Sequence, residues 1–322
     1  MQIDRWGRLA RPPEFLSPMG PRDRRPWRAA VIGLVFVAGS IALHLAIVHA
    51  AGDWLAELSA ADRADYLRRV QRGESAAASP RMDIAWNLAS TAWYLGIAAL
   101  VLTAAVTVLR RPTRTFLTAA RQFRWRHLAI GAVVGGSAVL TAAAVRTGLY
   151  GDPHQFIFTG ETMAPFGFAM LAAAVVVNVA TGFSEEAIFR GWMMQQTAAF
   201  TRNLIVIVGL QAVVFALYHL EFQPEELLSR GLMGAAFAWT ALRLGGLEFA
   251  MGAHASYDLA LEAFPSVFTG DSVEAVERAW AADAAKLNPE GFVAALALVG
   301  AVEVMRLLRR RASGHSLLAA AD

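Results

Sequence analysis

Residues 29–50 run for 22 positions without an Asp, Glu, Lys or Arg. Coiled into a helix at about 1.5 Å per residue, that stretch is about 33 Å long, close to the hydrocarbon thickness of a bilayer. The pattern recurs over residues 82–109, 127–145, 166–183 (continuing into a charged motif), 204–220, 232–244, 246–264 and 291–308. Only helices or closed barrels satisfy their backbone in lipid, and runs of this length predict helices. The expected fold is therefore all-α, a polytopic membrane bundle of about eight helices. Several runs are short or polar for a lone span, which suggests that they are buried within the bundle and enclose an intramembrane polar site. A composition of 56% hydrophobic and 17% charged residues, with mean hydropathy +0.43, excludes an ordinary soluble enzyme.

Charge then organises the chain. Residues 1–28, with Pro12, Pro13, Pro21 and Pro26 among seven arginines, read as a flexible basic tail on the cytoplasmic side. Residues 29–308 form the transmembrane domain, in which 29–50 is an anchor rather than a removed signal peptide, and 309–322 form a basic C-terminal tail. Arg111, Arg114, Arg121 and Arg124 fill the loop 110–126, and Arg309, Arg310 and Arg311 follow the last run; by the positive-inside rule both termini are cytoplasmic. Residues 51–81 interleave five arginines with acids and read as a small external amphipathic helix. Basic residues that flank apolar runs are orientation signals, not a nucleic-acid face. The chain has no cysteine, which removes disulfides, thiolate zinc sites, Fe–S clusters and thiol nucleophiles.

What remains is carboxylate, imidazole and hydroxyl chemistry, and it concentrates where lipid-bound helices should be apolar. In TGFSEEAIFRGWMMQ, residues 181–195, Glu186 and Arg190 stand at i and i+4, the spacing at which a carboxylate meets a guanidinium. Glu185 points about 100° away and lacks that partner. Such a carboxylate seeks a proton, water or another helix, as a general base does. Phe215 and His219 repeat the spacing, so the ring can fix the imidazole plane; His254 and Asp258 repeat it again, so the carboxylate can hold the imidazole in one tautomer or charge state. A turn at 201–203 would bring Glu185 and His219 to one depth, whereas a loop near Gly245 leaves His254 too close to its own turn. Asn178, seven positions before Glu185 and on nearly the same face, lines the cavity or bonds a neighbouring helix. His44, His49, His127, His154 and His315 lack a partner pattern, and Glu303 with Arg306 reads as a solitary structural pair. Gly135, Gly136 and Ser137 do not form the Gly-x-Ser-Gly of a rhomboid-type serine protease.

In order, Glu-Glu-x-x-x-Arg, Phe-x-x-x-His and His-x-x-x-Asn/Asp resemble the three motifs of the CPBP intramembrane proteases, which include the type II CAAX prenyl endopeptidases and the bacterial Abi proteins; the resemblance covers roughly 166–264. It implies that Glu185 activates water for attack on a peptide carbonyl, that His219 holds or deprotonates that water, that His254 and Asp258 stabilise the oxyanion, and that Glu186 and Arg190 support the frame. Asp258 departs from the Asn of many relatives: an ionised Asp repels an oxyanion, so here it keeps His254 cationic or is itself protonated. Glu185, His219 and His254 are also acceptable ligands for Zn, so a metal-dependent peptidase stands beside a glutamic one that needs no cofactor. Two other readings keep the fold: a non-catalytic scaffold or immunity protein, and an ion-coupled transporter, although no paired half-repeat is evident. Expected partners are membrane lipid and a peptide or membrane-associated protein substrate, with no nucleic acid. The Arg- and Ala-rich composition suggests a bacterial inner membrane, where prenylated substrates are not expected.

Overall fold

The computed structural model describes residues 8–9, 13–55, 80–150, 167–263 and 290–319. Among them α1 (Pro26–Leu55), α2 (Pro80–Leu109) and α3 (Trp125–Tyr150) precede α4 (Gly167–Glu185). That helix continues through a π-helix (Glu186–Met193) into α5 (Met194–Phe200). Then come α6 (Leu204–Tyr218), α7 (Pro224–Leu244), α8 (Glu248–Asp258, ending in a π turn, Leu259–Ala263) and α9 (Glu290–Ala319). The expected helical membrane bundle is present. Among the described residues five segments are long and apolar enough to cross a bilayer, Pro26–Ala50, Ile84–Leu109, Trp125–Val145, Gly167–Phe200 and Gly291–Arg309, so the count of about eight spans is not confirmed. The difference lies in α6, α7 and α8: α6 has 15 residues, α8 has 11, and α7 carries Glu225, Glu226, Arg230 and Arg243. On α1, Leu34, Val37, Ile41 and Leu45 stay exposed along one stripe, as a lipid-facing surface should.

Local chemistry sets the turns. Asn203 caps α6 by accepting from the backbone N–H of Ile205 (2.9 Å) and Val206 (3.3 Å), closing the hairpin expected at 201–203. Pro224 opens α7, and Gly245 ends it in the left-handed region (φ 73°), which a side chain would strain.

The next turn is recessed. Gly246 and Leu247 meet the loop that follows α2: Ala119 N–H donates to Gly245 O and Leu247 N–H to Leu117 O, both at 2.9 Å. A Cβ on Gly191 would lie 2.6 Å from Phe116 O and 3.4 Å from Leu247 Cδ1, so α8 starts level with Gly191. Gly191 stands nine residues before the end of α5 at Phe200, about 14 Å at a helical rise. Loop 110–126 is thus a folded wedge whose arginines do more than mark orientation.

Three expectations need correction. Residues 13–25, read as part of a flexible tail, are docked: Phe15 and Leu16 are buried, and Asp23 pairs with Arg111 at 2.6 Å. Glu303 is not in a solitary pair with Arg306, because it also accepts from Arg243 and from Trp239 Nε1 (3.1 Å), tying α9 to α7. The last helix passes through the segment read as a C-terminal tail as far as Ala319. The external helix expected over 51–81 falls largely at 56–79, outside the described residues.

Candidate active site

Small residues bring the motif helices together. On α3, a Cβ on Gly131 would lie 2.0 Å from Phe249 O and one on Gly135 2.2 Å from Ala253 O, so α3 and α8 touch backbone to backbone. On α4, a Cβ on Gly182 would stand 2.9 Å from Ala255 N. Wedged between these glycine faces, α8 has its height and rotation fixed, and His254 with them. The depth mismatch expected from the Gly245 loop is removed because the turn itself is recessed.

The charges of residues 185–190 meet His254 there. Arg190, fully buried, donates from Nη1 to Glu186 Oε1 (2.9 Å) and from Nη2 to Gly234 O (3.1 Å). Its guanidinium lies 4.3 Å over the Phe215 ring and 5.2 Å from that of Phe237, cation–π contacts that suit a cation held away from water. Glu186 Oε1 also accepts from His254 Nδ1 at 3.1 Å, and the Phe237 ring stacks on the imidazole (4.8 Å, 20°). The i, i+4 pairing of Glu186 with Arg190 is present, now inside a π-helix, a widened turn frequent at functional sites.

On its other side, His254 Nε2 faces two more carboxylates, Asp258 Oδ2 at 3.3 Å and Glu185 Oε2 at 3.7 Å. The expected His254–Asp258 contact is there; the role of Glu186 as the Nδ1 acceptor is not visible in the sequence. With acceptors at both nitrogens, the imidazolium satisfies the arrangement fully, as does a neutral ring beside a protonated Asp258. Glu185 is 3% exposed, and its Oε2 has no hydrogen-bond partner.

His219 caps the C-terminus of α6. Its Nδ1–H donates to Phe215 O (2.8 Å), which in a neutral ring leaves Nε2 as the free base. The Phe215 ring meets both imidazoles, edge to face, at 4.8 Å for His219 and 5.8 Å for His254. Among the described residues His219 makes no ion pair with a carboxylate within 4.0 Å, so it does not touch Glu185. Asn178 is buried, but its amide donates to Ala174 O of its own helix at 2.9 Å. His127 is buried with Nε2 against Arg309, at the bundle end and not in this site. Among the described residues no three His, Asp or Glu side chains are grouped to hold a metal ion, so Glu185, His219 and His254 do not form a ready ligand set.

Two contributors, and one buried polar neighbour on the His219 helix, escaped the sequence reading. Phe237 and Gly234, on α7, carry no motif spacing to the others. Gln211, fully buried one turn before Phe215 on the His219 face of α6, has no hydrogen-bond partner at either amide atom. A polar residue in so apolar a helix was its signal.

Residues 166–260 match the family described as type II CAAX prenyl endopeptidase Rce1-like, and that segment contains all three motifs. The uncharacterized protein YyaK of Bacillus subtilis (strain 168) is 24% identical over 182 residues, which cover 50% of this chain and 59% of that protein. No solved structure matches the chain. The apolar spans, with the matched segment, support an integral membrane protein.

Proposed function

We propose that the protein is an intramembrane endopeptidase in which Glu185 activates the hydrolytic water. One observation carries the reading: Glu186 and Glu185 each have an Oε2 without a hydrogen-bond partner, but Glu186 is anchored through Oε1 by both Arg190 and His254, whereas Glu185 Oε2 stands 3.7 Å from His254 with no such anchor. Glu186 is a fixed strut, and Glu185 is the carboxylate free to take a proton.

In the proposed reaction a water lies between Glu185 and His219 Nε2. Glu185 accepts its proton as the oxygen attacks the peptide carbonyl, and the carbonyl π electrons move onto oxygen. His254, cationic between Glu186 and Asp258, donates Nε2–H to that oxyanion. Collapse re-forms the carbonyl, breaks the C–N bond and passes the proton from Glu185 to the leaving amine. Asp258 suits this role as partner of the donor better than as donor itself, so Asp258→Asn, which supplies a neutral amide at the same place, should retain activity within about tenfold.

Bound zinc would polarise the carbonyl and acidify water. The residues do not come together as a ligand set for it, and a chelator tests that route directly: activity that survives chelation belongs to the glutamic reading. The main test is cleavage in membranes carrying Glu185→Gln at wild-type abundance. Cleavage should fall by about 10³-fold or more with the fold intact, within the range for loss of a general base; full activity would end the assignment.

The basic clusters support the orientation. Arg28 donates to Val108 O (2.5 Å), joining the start of α1 to the end of α2, and Arg309 meets His127 near the start of α3. These clusters therefore share one end of the bundle, which we assign to the cytoplasm of a bacterial inner membrane. Substrates are then membrane-associated peptides or proteins, without a requirement for prenylation and without a nucleic-acid partner.

A further inference from the structure

A helix that starts about 14 Å inside the bundle leaves a hollow beneath its first turn, and residues 8–9 and 13–25 fill it. Leu9 N–H donates to Arg202 O (2.9 Å), at the turn between α5 and α6. Phe15 and Leu16, at 0% and 1% exposure, join one apolar cluster with Met194, Ile207, Leu242, Leu247 and Met251. Glu14 lies against Gly245, at the turn between α7 and α8. Asp23 closes the arm: its carboxylate pairs with Arg111 and its carbonyl accepts from Gln196 of α5, while Arg111 also meets Gln195. One short segment therefore braces the two turns that fix the depths of Glu185, His219 and His254.

We propose that this arm is a plug with two tasks: it seals its end of the bundle against water, and it holds the recessed turn so that His254 reaches the glutamates. Phe15 and Leu16 are positioning residues that act through Leu247 and Met251. Water and substrate then reach the site from elsewhere than the arm end. The seal follows from the packing alone; the link to catalysis rests on the protease reading above.

The absence of cysteine makes a substrate-free test direct. Leu247→Cys, in the purified full chain in nanodiscs, is titrated with a membrane-impermeant maleimide; the partner measurement uses Ile97→Cys, buried in the separate cluster around α2. With the native arm both thiols should react slowly. Phe15→Ser with Leu16→Ser should accelerate labelling at 247 on the order of a hundredfold, as loss of two buried apolar side chains implies, and leave position 97 unchanged. The conservative Leu16→Ile should restore slow labelling. Equal rates at 247 with and without the arm substitutions, whether fast or slow, would overturn the plug. Equal acceleration at 97 would overturn it too, since the arm would then be a general stabiliser. No substrate enters these measurements, so their failure leaves the role of Glu185 to be decided by its own substitution.

Discussion

Two arginine–glutamate pairs sit along the path of α8, and they differ in how completely they are satisfied. At the helix start, Arg124 donates from its backbone N–H and Nε to Glu248 Oε1, from Nη2 to Oε2 and from Nη1 to Leu244 O, so both carboxylate oxygens are occupied. Deeper in, Arg190 and Glu186 share one bond, while Arg190 Nε, Glu186 Oε2 and Glu185 Oε2 have none. Folding favours saturation of buried charge, because each orphaned polar atom costs roughly 1–3 kcal/mol. A pair that is saturated holds the fold together; one left short near a widened helical turn leaves buried polar atoms without partners. Between these two pairs, incomplete satisfaction marks the one in the proposed chemical region; it is not confined to that region, because Arg111 Nε and Gln196 Oε1 are orphaned as well.

That contrast is most exposed to removal of the cations. Arg190→Ala leaves Glu186 and Glu185 buried with His254 as their remaining cation, and should abolish cleavage and destabilise by about 4 kcal/mol. Arg124→Ala strands the buried Glu248, but Arg124 is 23% exposed and water can enter, so about 2–3 kcal/mol is expected. Thermal unfolding in detergent separates the two. Replacing both partners sharpens the distinction: Arg124→Met with Glu248→Leu should recover most of the lost stability and keep activity, whereas Arg190→Met with Glu186→Leu should recover stability without activity, because His254 has lost its Nδ1 acceptor. Recovered cleavage in the second double variant would erase the difference between the regions.

A smaller effect of opposite sign is expected at Gln211. Its amide is buried without partners, so Gln211→Leu removes two orphaned groups and should raise stability by about 1 kcal/mol. If the unsatisfied atoms serve the site, the same change should lower cleavage about tenfold, equivalent to the loss of one modest hydrogen bond in the transition state. A gain in stability with unchanged activity would place Gln211 outside the site.

The unequal visibility of the two regions in the sequence has the same physical origin. Glu186 with Arg190, Phe215 with His219, and His254 with Asp258 are each one helical turn apart, and local geometry makes such pairs readable as soon as a helix is assumed. Arg124 and Glu248 are separated by 124 positions, and Asp23 and Arg111 by 88, so only tertiary packing joins them. The recessed turn was hidden likewise, because apolar run length reports that a helix exists and not where it starts in depth. The π-helix left no compositional mark, and Phe237 reaches His254 from a helix whose own motif content is nil. Basic residues were legible as orientation signals, but that reading concealed that Arg111 is also a buried strut and Arg124 a half-buried one.

Asn178 gives the smallest effect and the finest test of the boundary. It shares a helix face with Glu185, is buried like Glu185, and by sequence alone has equal claim to line the cavity. The structure turns its amide back to Ala174 O, one turn earlier on the same helix, which serves neither His254 nor the glutamates. Asn178→Ala should therefore cost roughly 0.5–1.5 kcal/mol in unfolding, the worth of one ordinary hydrogen bond, and change cleavage by less than about threefold. Asn178→Asp is the harder probe: a new buried carboxylate two turns from Glu185 has no cation of its own, so it should destabilise more than Ala does while leaving the division of labour between Glu185 and Glu186 untouched. A large fall in cleavage with Asn178→Ala, at unchanged stability, would move the edge of the chemical region a further two turns along α4.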